Sequence, residues 1–574
     1  MPETRALPIA AEHREFTVKA GGEVVPREHQ LLAVSVSLAA NRIASARLVY
    51  VDGAAATGRF PLSDGELFTP GQRIEILAGA GRDSVSLFIG TVVRQGVKVR
   101  EAAASQLVVD CRHAAMKLSV ASRSTDYFEQ SDSEIIEALL GAAGVGAEVE
   151  ATTVKHPQTL QYQSTDWDFL LARARANGQL VWCEGEKVVV RKPALAGAPV
   201  CTLQHGATLL EFEGEIDARL QHPAVKGASW DPASQELVEV EAAAPSLAAP
   251  GNLSSAELAG VADRPFDVRH PALPEAEAQA WVDGIALGRR LDQVSGRGKC
   301  QGIATVKPGV VVALAGLGRR FDGQALVTGV RHEFSLVQGW KTHVQVGGVA
   351  QLPAGKAAAN RLLPGVAGLQ IGVVTSNEDP AGEHRVRVRL PLLGLSGDGL
   401  WARVASLDAG DDRGFFFRPE IGDEVTVGFL DDDPRHPVIL GMLHSSAKAA
   451  PLPGSDDNHE KLLKTRSGMR LHFNDEKIVM TLDTPAGNSI ALDEDGKSLT
   501  LADQNGNKIV LDADGIRLES AKAIAWKAGT ETRMEASAAF EIKAGSDLKL
   551  EGGASAELKG GGTAKLSGAL VQIN

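Results

Sequence analysis

The sequence predicts a mainly β protein of several domains whose last part is a triangular β-prism intertwined from three copies of the chain. Three observations predict it. Short apolar runs bounded by Gly and Asp turns recur through most of the chain, with few helix signals among them. Aromatic residues are scarce at 5% and glycine is abundant at 61 residues, which fits many short strands better than large helical cores. From Ile516 onward, bulky residues recur at every eighth position.

A chain of 574 residues can bury several cores, so three or four domains are expected. The formal charge of −13 argues against a nucleic-acid footprint. Cys111, Cys183, Cys201 and Cys300 are far apart and form no CxxC pair, so buried free thiols in a reducing compartment are expected. Residues 1–10 carry no apolar leader, and no run reaches the roughly eighteen apolar residues of a membrane span. A protein made in the cytoplasm without a signal peptide is expected.

Residues 1–355 form the first region. Strands are expected at 31–38, 45–51, 73–77, 86–93 and 106–109, then two helices, at about 131–141 and 165–177. Ser131 with Glu134 makes a capping box ahead of Ile135, Ile136, Leu139 and Leu140. Thr165 and Asp168 open the second helix, and Gly178 ends it. Residues 223–274, rich in Ala, Pro and Ser, read as loops and linker. Strands are expected again at 310–314, 325–330 and 342–346, followed by a linker over 353–368.

Residues 366–445 read as a small Greek-key barrel of the OB shape, with strands at 371–376, 384–390, 401–405, 424–429 and 437–441. Arg385, Arg387 and Arg389 fall on one strand face, and Val386, Val388 and Leu390 on the other. No aromatic platform accompanies the arginines, so acidic residues such as Asp431, Asp432 and Asp433 are their expected partners. Residues 460–515 alternate irregularly between Asp-Gly and Asn-Gly turns and read as a β-structured neck.

The octad tail occupies 516–574. Its bulky row is Leu518, Trp526, Met534, Ile542, Leu550, Leu558 and Leu566. A second row two residues earlier holds Ile516, Ile524, Thr532, Phe540, Leu548, Ala556 and Ala564. Small residues sit two positions after each bulky one, from Ser520 to Gly568. Period-2 alternation inside a repeat of eight means one short strand and one turn per octad. Eight residues make one side of a triangular prism, so the other two sides must come from two more chains. Glu519, Lys527, Glu535, Lys543, Glu551 and Lys559 alternate in sign up the repeat, which sets register more than it stabilises, since each exposed pair is worth about 0.2–1 kcal/mol. The strict recurrence of the bulky row disfavours a disordered tail.

With these motifs in view, the chain resembles the VgrG family of type VI secretion spike proteins, the Rhs-element Vgr proteins, which are similar to a fused hub and spike of contractile phage tails. The resemblance rests most on Gly372-Val373-Val374, Asp379-Pro380, Arg385 to Pro391, Trp401 to Val404, Phe417-Arg418-Pro419, Ile421 to Val425 and Pro437 to Gly441. Thr465-Arg466-Ser467-Gly468 at the start of the needle joins them. In the first region it rests on Tyr162, Ser164, Asp166, Phe169-Leu170, Gly178, Pro308-Gly309 and Gly323 to His332.

The resemblance implies phage-hub-like β-barrel domains with a small α/β part, then the OB barrel and the needle. It implies a homotrimer mounted on an Hcp-like inner tube, with baseplate proteins, effectors and transient contact with a target membrane. The assembled spike would be translocated to the extracellular space or a target cell. A zinc-binding PAAR-like protein would cap the end, where Leu570, Val571 and Ile573 break the octad spacing and leave an apolar patch. Type VI secretion, an extracellular injection particle and a phage tail all remain open. A trimeric tail fibre or adhesin and a β-helical polysaccharide depolymerase are the rivals from other classes.

No catalytic, cofactor or metal residues are expected. A GxSxG elbow and a P-loop are absent, and Gly316-Leu317-Gly318 lacks the third glycine of a dinucleotide loop. His332-Glu333 and His459-Glu460 have no second histidine at 336 or 463, so neither places two imidazoles on one helical face. His113, His332 and the others are expected to be structural.

Overall fold

Strand formation follows the alternation of the sequence: Ser45–Val51 buries Ala46, Leu48 and Tyr50 and turns Arg47 outward. The computed structural model describes residues 16–79, 84–101, 103–349, 362–394 and 397–573. It divides into two units, Met1–His444 and Ser445–Asn574. Most of the expected 353–368 linker lies outside the described residues.

In the first unit a 13-stranded sheet runs from Leu209–Ile216 at one edge to Glu23–Val24 at the other. Its halves, far apart in sequence, meet where Gly323–Ser335 pairs with Leu31–Ala39, His332 opposite Val36. Among the described residues these strands form one continuous sheet. His332-Glu333 lies on a strand, with the His332 Nδ1 3.0 Å from the Thr342 hydroxyl. Burial pushes that imidazole down to about 4, so it is a neutral core residue. The cysteines are free, and burial raises Cys111 to about 12 and Cys183 to about 11.

Two helices lie over this core, Asp132–Ala142 and Asp166–Ala176. Ser131 and Glu134 cap the first reciprocally, and the Thr165 hydroxyl accepts from the Asp168 N–H. Ile135, Ile136, Leu139, Phe169 and Leu170 join the same apolar cluster as Leu48 and Leu107.

Residues 223–274 are not merely linker. Val225–Asp231 pairs antiparallel with Glu236–Glu241 and parallel with Phe266–His270. A third long helix, Glu275–Leu291, packs Ala278, Trp281 and Val282 against Val225, Val240 and Val268. It crosses close to the end of the second helix. A Cβ on Gly178, which holds φ at +68°, would lie 2.7 Å from the Gly284 Cα, so both positions need glycine.

The OB expectation is met by a closed five-stranded barrel of Gln370–Ser376, Val386–Arg389, Leu400–Val404, Glu424–Phe429 and Pro437–Met442. Val374, Val386, Val388, Val425, Val427 and Ile439 fill it. Leu160 and Tyr162, from the hub strand Lys155–Thr165, pack on that core.

The second unit is an antiparallel meander of seven strands, from Glu460–Lys464 to Gly515–Glu519. It extends one strand beyond the expected neck and takes in Ile516 and Leu518. No strand is formed among the described residues after Glu519, and every described residue from 521 to 573 is exposed.

Candidate functional site

The meander sets two apolar ladders on one face. Directly paired residues run Leu463, Leu471, Leu482, Ile490, Leu501, Ile509 and Leu518. Beside them run Phe473, Met480, Leu492, Leu499, Leu511 and Ile516. The ladders are two residues apart on every strand, hence on the same face. Ten of these thirteen side chains remain 37–68% exposed. The opposite face runs His472, Thr481, Ala491, Thr500, Val510 and Arg517, and Arg470 there donates to Asp483 at 2.8 Å.

A single sheet cannot cover its own apolar face, and burying a large aliphatic or aromatic side chain is worth about 1.5–3 kcal/mol. The octad residues repeat the problem. Ile516 and Leu518 close the two ladders, whereas Ile524, Trp526, Met534, Phe540, Ile542, Leu548, Leu550, Leu558 and Leu566 lie beyond the last strand, all more than half exposed. Leu570, Val571 and Ile573 are exposed as well. Within one chain the structure brings none of these later residues into a core.

The barrel arginines find partners other than the expected ones. The Arg385 Nε donates to Asp379 at 2.8 Å, and the Arg387 Nη1 to Asp398 at 3.0 Å. Both guanidiniums also lie within 6 Å of the Trp401 ring, at 5.9 and 5.7 Å. Asp433 is taken up instead by Arg435, from the turn leading into the last barrel strand.

That turn belongs to a buried ionic network which sequence reasoning missed. Arg173 donates from Nε to Asp132 at 2.6 Å and from Nη2 to Glu277 at 3.3 Å. Arg435 reaches the same Glu277 oxygen at 2.7 Å and Asp433 at 2.8 Å. His156 bridges toward Asp132 at 3.1 Å, and Asn177 donates to Asp132 at 2.7 Å. Burial opposes the charged forms of Asp132, Glu277 and Asp433, but the two guanidiniums outweigh it and hold all three carboxyls below the usual range. The network joins the helices Asp132–Ala142 and Asp166–Ala176, the strand Lys155–Thr165, the helix Glu275–Leu291 and the barrel. Its members come from five separate segments, so no spacing in the sequence announces it.

Comparison with known proteins fits this architecture. Residues 10–335 match the family model of the Alg8 N-terminal domain. Residues 370–444, the closed barrel, match the type VI secretion system/phage-baseplate injector OB domain. The type VI secretion system spike protein VgrG5 of Pseudomonas aeruginosa is 36% identical over 115 residues, 18% of this chain and 14% of that protein. The actin cross-linking toxin VgrG1 of Vibrio cholerae is 28% identical over 165 residues, 27% of this chain and 14% of that protein. The matches thus span 14% of the length of each of these two relatives.

Among solved structures, a type VI secretion component of E. coli aligns over 74% of this chain and 99% of its own, at 14% identity and a TM-score of 0.47. The Francisella PdpA–VgrG complex aligns over 88% of this chain and 80% of its own, at 9% identity and a TM-score of 0.48. The similarity to VgrG-type spike proteins and to the phage-baseplate injector OB domain is confined to parts of the chain. Because the match over residues 10–335 takes in more than half of the chain, the protein belongs to the family described by the Alg8 N-terminal domain.

Proposed function

We propose that three copies of this chain form the non-enzymatic spike of a contractile injection machine of the type VI secretion kind. The observation that carries the reading is the pair of apolar ladders, continued by an exposed octad row. Ten exposed apolar side chains among thirteen aligned on one sheet face, with no element of the second unit over them among the described residues, exceed what a monomer normally leaves in water. Three such faces turned inward would cover one another, and the octads would then supply one side each of a closed prism without open edges. The similarity of the barrel to injector OB domains, and of stretches of the chain to spike proteins, supports a spike rather than a fibre or an enzyme.

In this reading the first unit is mounted on an Hcp-like inner tube among baseplate proteins. The needle punctures the target membrane from outside and carries effectors across. No helix among the described residues is long and apolar enough to span a bilayer. Leu570, Val571 and Ile573 dock a PAAR-like cap.

Light scattering tests the assembly. The full chain is expected to run at three times the 60.3 kDa of one copy, and a chain truncated before Ile516 to trimerise more weakly. A stable monomer at micromolar concentration would overturn the reading.

A further inference from the structure

Where the hub strand Phe266–His270 meets the barrel turn that precedes Pro437–Met442, three metal-ligating side chains converge. One ligand atom from each of His270, Asp433 and His436 lies within 4.8 Å of the other two. The His270 Nε2 is 2.9 Å from Asp433 Oδ2, and the two imidazole rings are 5.4 Å apart at their centroids. We propose that these three residues bind a divalent transition-metal ion of the zinc class, which clips the hub to the barrel.

Four observations point to a ligand there. The Nε2 of His436 is buried and has no hydrogen-bond partner among the described residues. A buried polar atom left unmatched asks for a partner of its own, and an imidazole nitrogen is a natural metal donor. The Nδ1 of His270 lies 3.2 Å from the Ala272 carbonyl oxygen and 3.3 Å from the Ala272 N–H, so backbone groups hold that side of the ring and Nε2 faces Asp433 as the ligand atom. Asp433 is held in place by the Arg435 guanidinium, whose Nη2 donates to Oδ2 at 2.8 Å and whose Nε donates to Oδ1 at 3.1 Å.

The fourth observation is electrostatic. In the contiguous network the buried carboxylates Asp132, Glu277 and Asp433 outnumber the guanidiniums Arg173 and Arg435 by one, with the His156 imidazole between Asp132 and Glu277. The positive charge of Arg435 is shared with Glu277 at 2.7 Å and is not spent on Asp433 alone. A cation at the three-residue site supplies what the network lacks. Two imidazoles and one carboxylate suit zinc better than calcium or magnesium, which ask for more oxygen ligands, and they leave a fourth position for water.

The site does not depend on the spike reading. His270 and Asp433 are 163 residues apart, which is why no motif reveals it. The test uses the full chain, purified without a histidine tag, stripped with chelator and dialysed against zinc or cobalt(II). One ion per chain is expected, with visible absorption bands of low-symmetry cobalt bound to nitrogen. His436→Ala is expected to weaken uptake roughly tenfold or more, while His472→Ala, at a partly exposed histidine of the second unit paired with Glu460, leaves it unchanged. The cobalt spectrum of the unaltered protein needs no variant to fold. Absence of any bound ion in that protein, or equal uptake by His436→Ala, would overturn the proposal.

Discussion

Arg173 is fully buried and holds two carboxylates from distant parts of the chain, Asp132 and Glu277. Removing one member of such a network leaves the others charged and unpaired, which costs about 3–5 kcal/mol. Arg173→Met is therefore expected to lower the unfolding free energy of the first unit in urea by that amount, whereas Arg47→Met, at an exposed pair with Asp110, should cost no more than about 1 kcal/mol. The same residues set an acid limit. Burial works against the Glu277 anion, but Arg435 and Arg173 outweigh it and bring its pKa from 4.5 down to about 2. A depressed carboxyl stabilises the fold above its unfolded value and loses that contribution as pH falls through the folded one. Urea unfolding between pH 5 and pH 2 should show stability falling with pH. In Glu277→Gln that dependence should be shallower. An unchanged slope would show that Glu277 is not held as the anion.

Among the elements, those written by local chemistry were legible in the sequence. The capping box of Ser131 and Glu134, the barrel strand with its alternating arginines and valines, and the turn-bounded strands of the neck all follow from residues within a few positions of one another. The helix Glu275–Leu291 was missed, although Pro274 before it, Glu275 and Glu277 in its first turn, and Arg289 and Arg290 in its last are start and stop signals. Its Ala-rich surroundings hid it, and the parallel pairing of Val225–Asp231 with Phe266–His270 brings together segments about forty residues apart. The ionic network was illegible for the same reason: only tertiary contact assembles it. Element-level tests follow from the ladders and the octads. Ile490→Asp puts a charge into the first ladder and, in three copies, three carboxylates close together, where they cannot all ionise. It should weaken trimerisation while the first unit keeps its unfolding transition. Ile542→Asp should fray the needle locally and abolish injection with the hub still folded. Normal heat and detergent resistance of the tail carrying this change would show that the octad register is wrong.

At the scale of the whole molecule, the two units divide the work. The first buries its own cores, around Leu48, around Val425 and around Val268, and needs no partner to do so. The second buries almost nothing: from 521 to 573 every described residue is exposed. In the proposed trimer, the regularly spaced apolar residues of this unit would be covered by the other two copies. If residues 570–573 dock a cap, a chain ending at Gly568 should remain trimeric and lose a co-expressed PAAR-like protein. Unchanged binding would rule out docking through that end. The central claim, that the octads of three chains lie side by side in register, is tested most directly by one spin label per chain at Glu551→Cys, in a background with the partly exposed Cys201 replaced by Ser. Pulsed dipolar spectroscopy of the full-length protein should give a modulation depth for three spins and a single narrow distance. A signal without modulation, or a broad spread of distances, would contradict it.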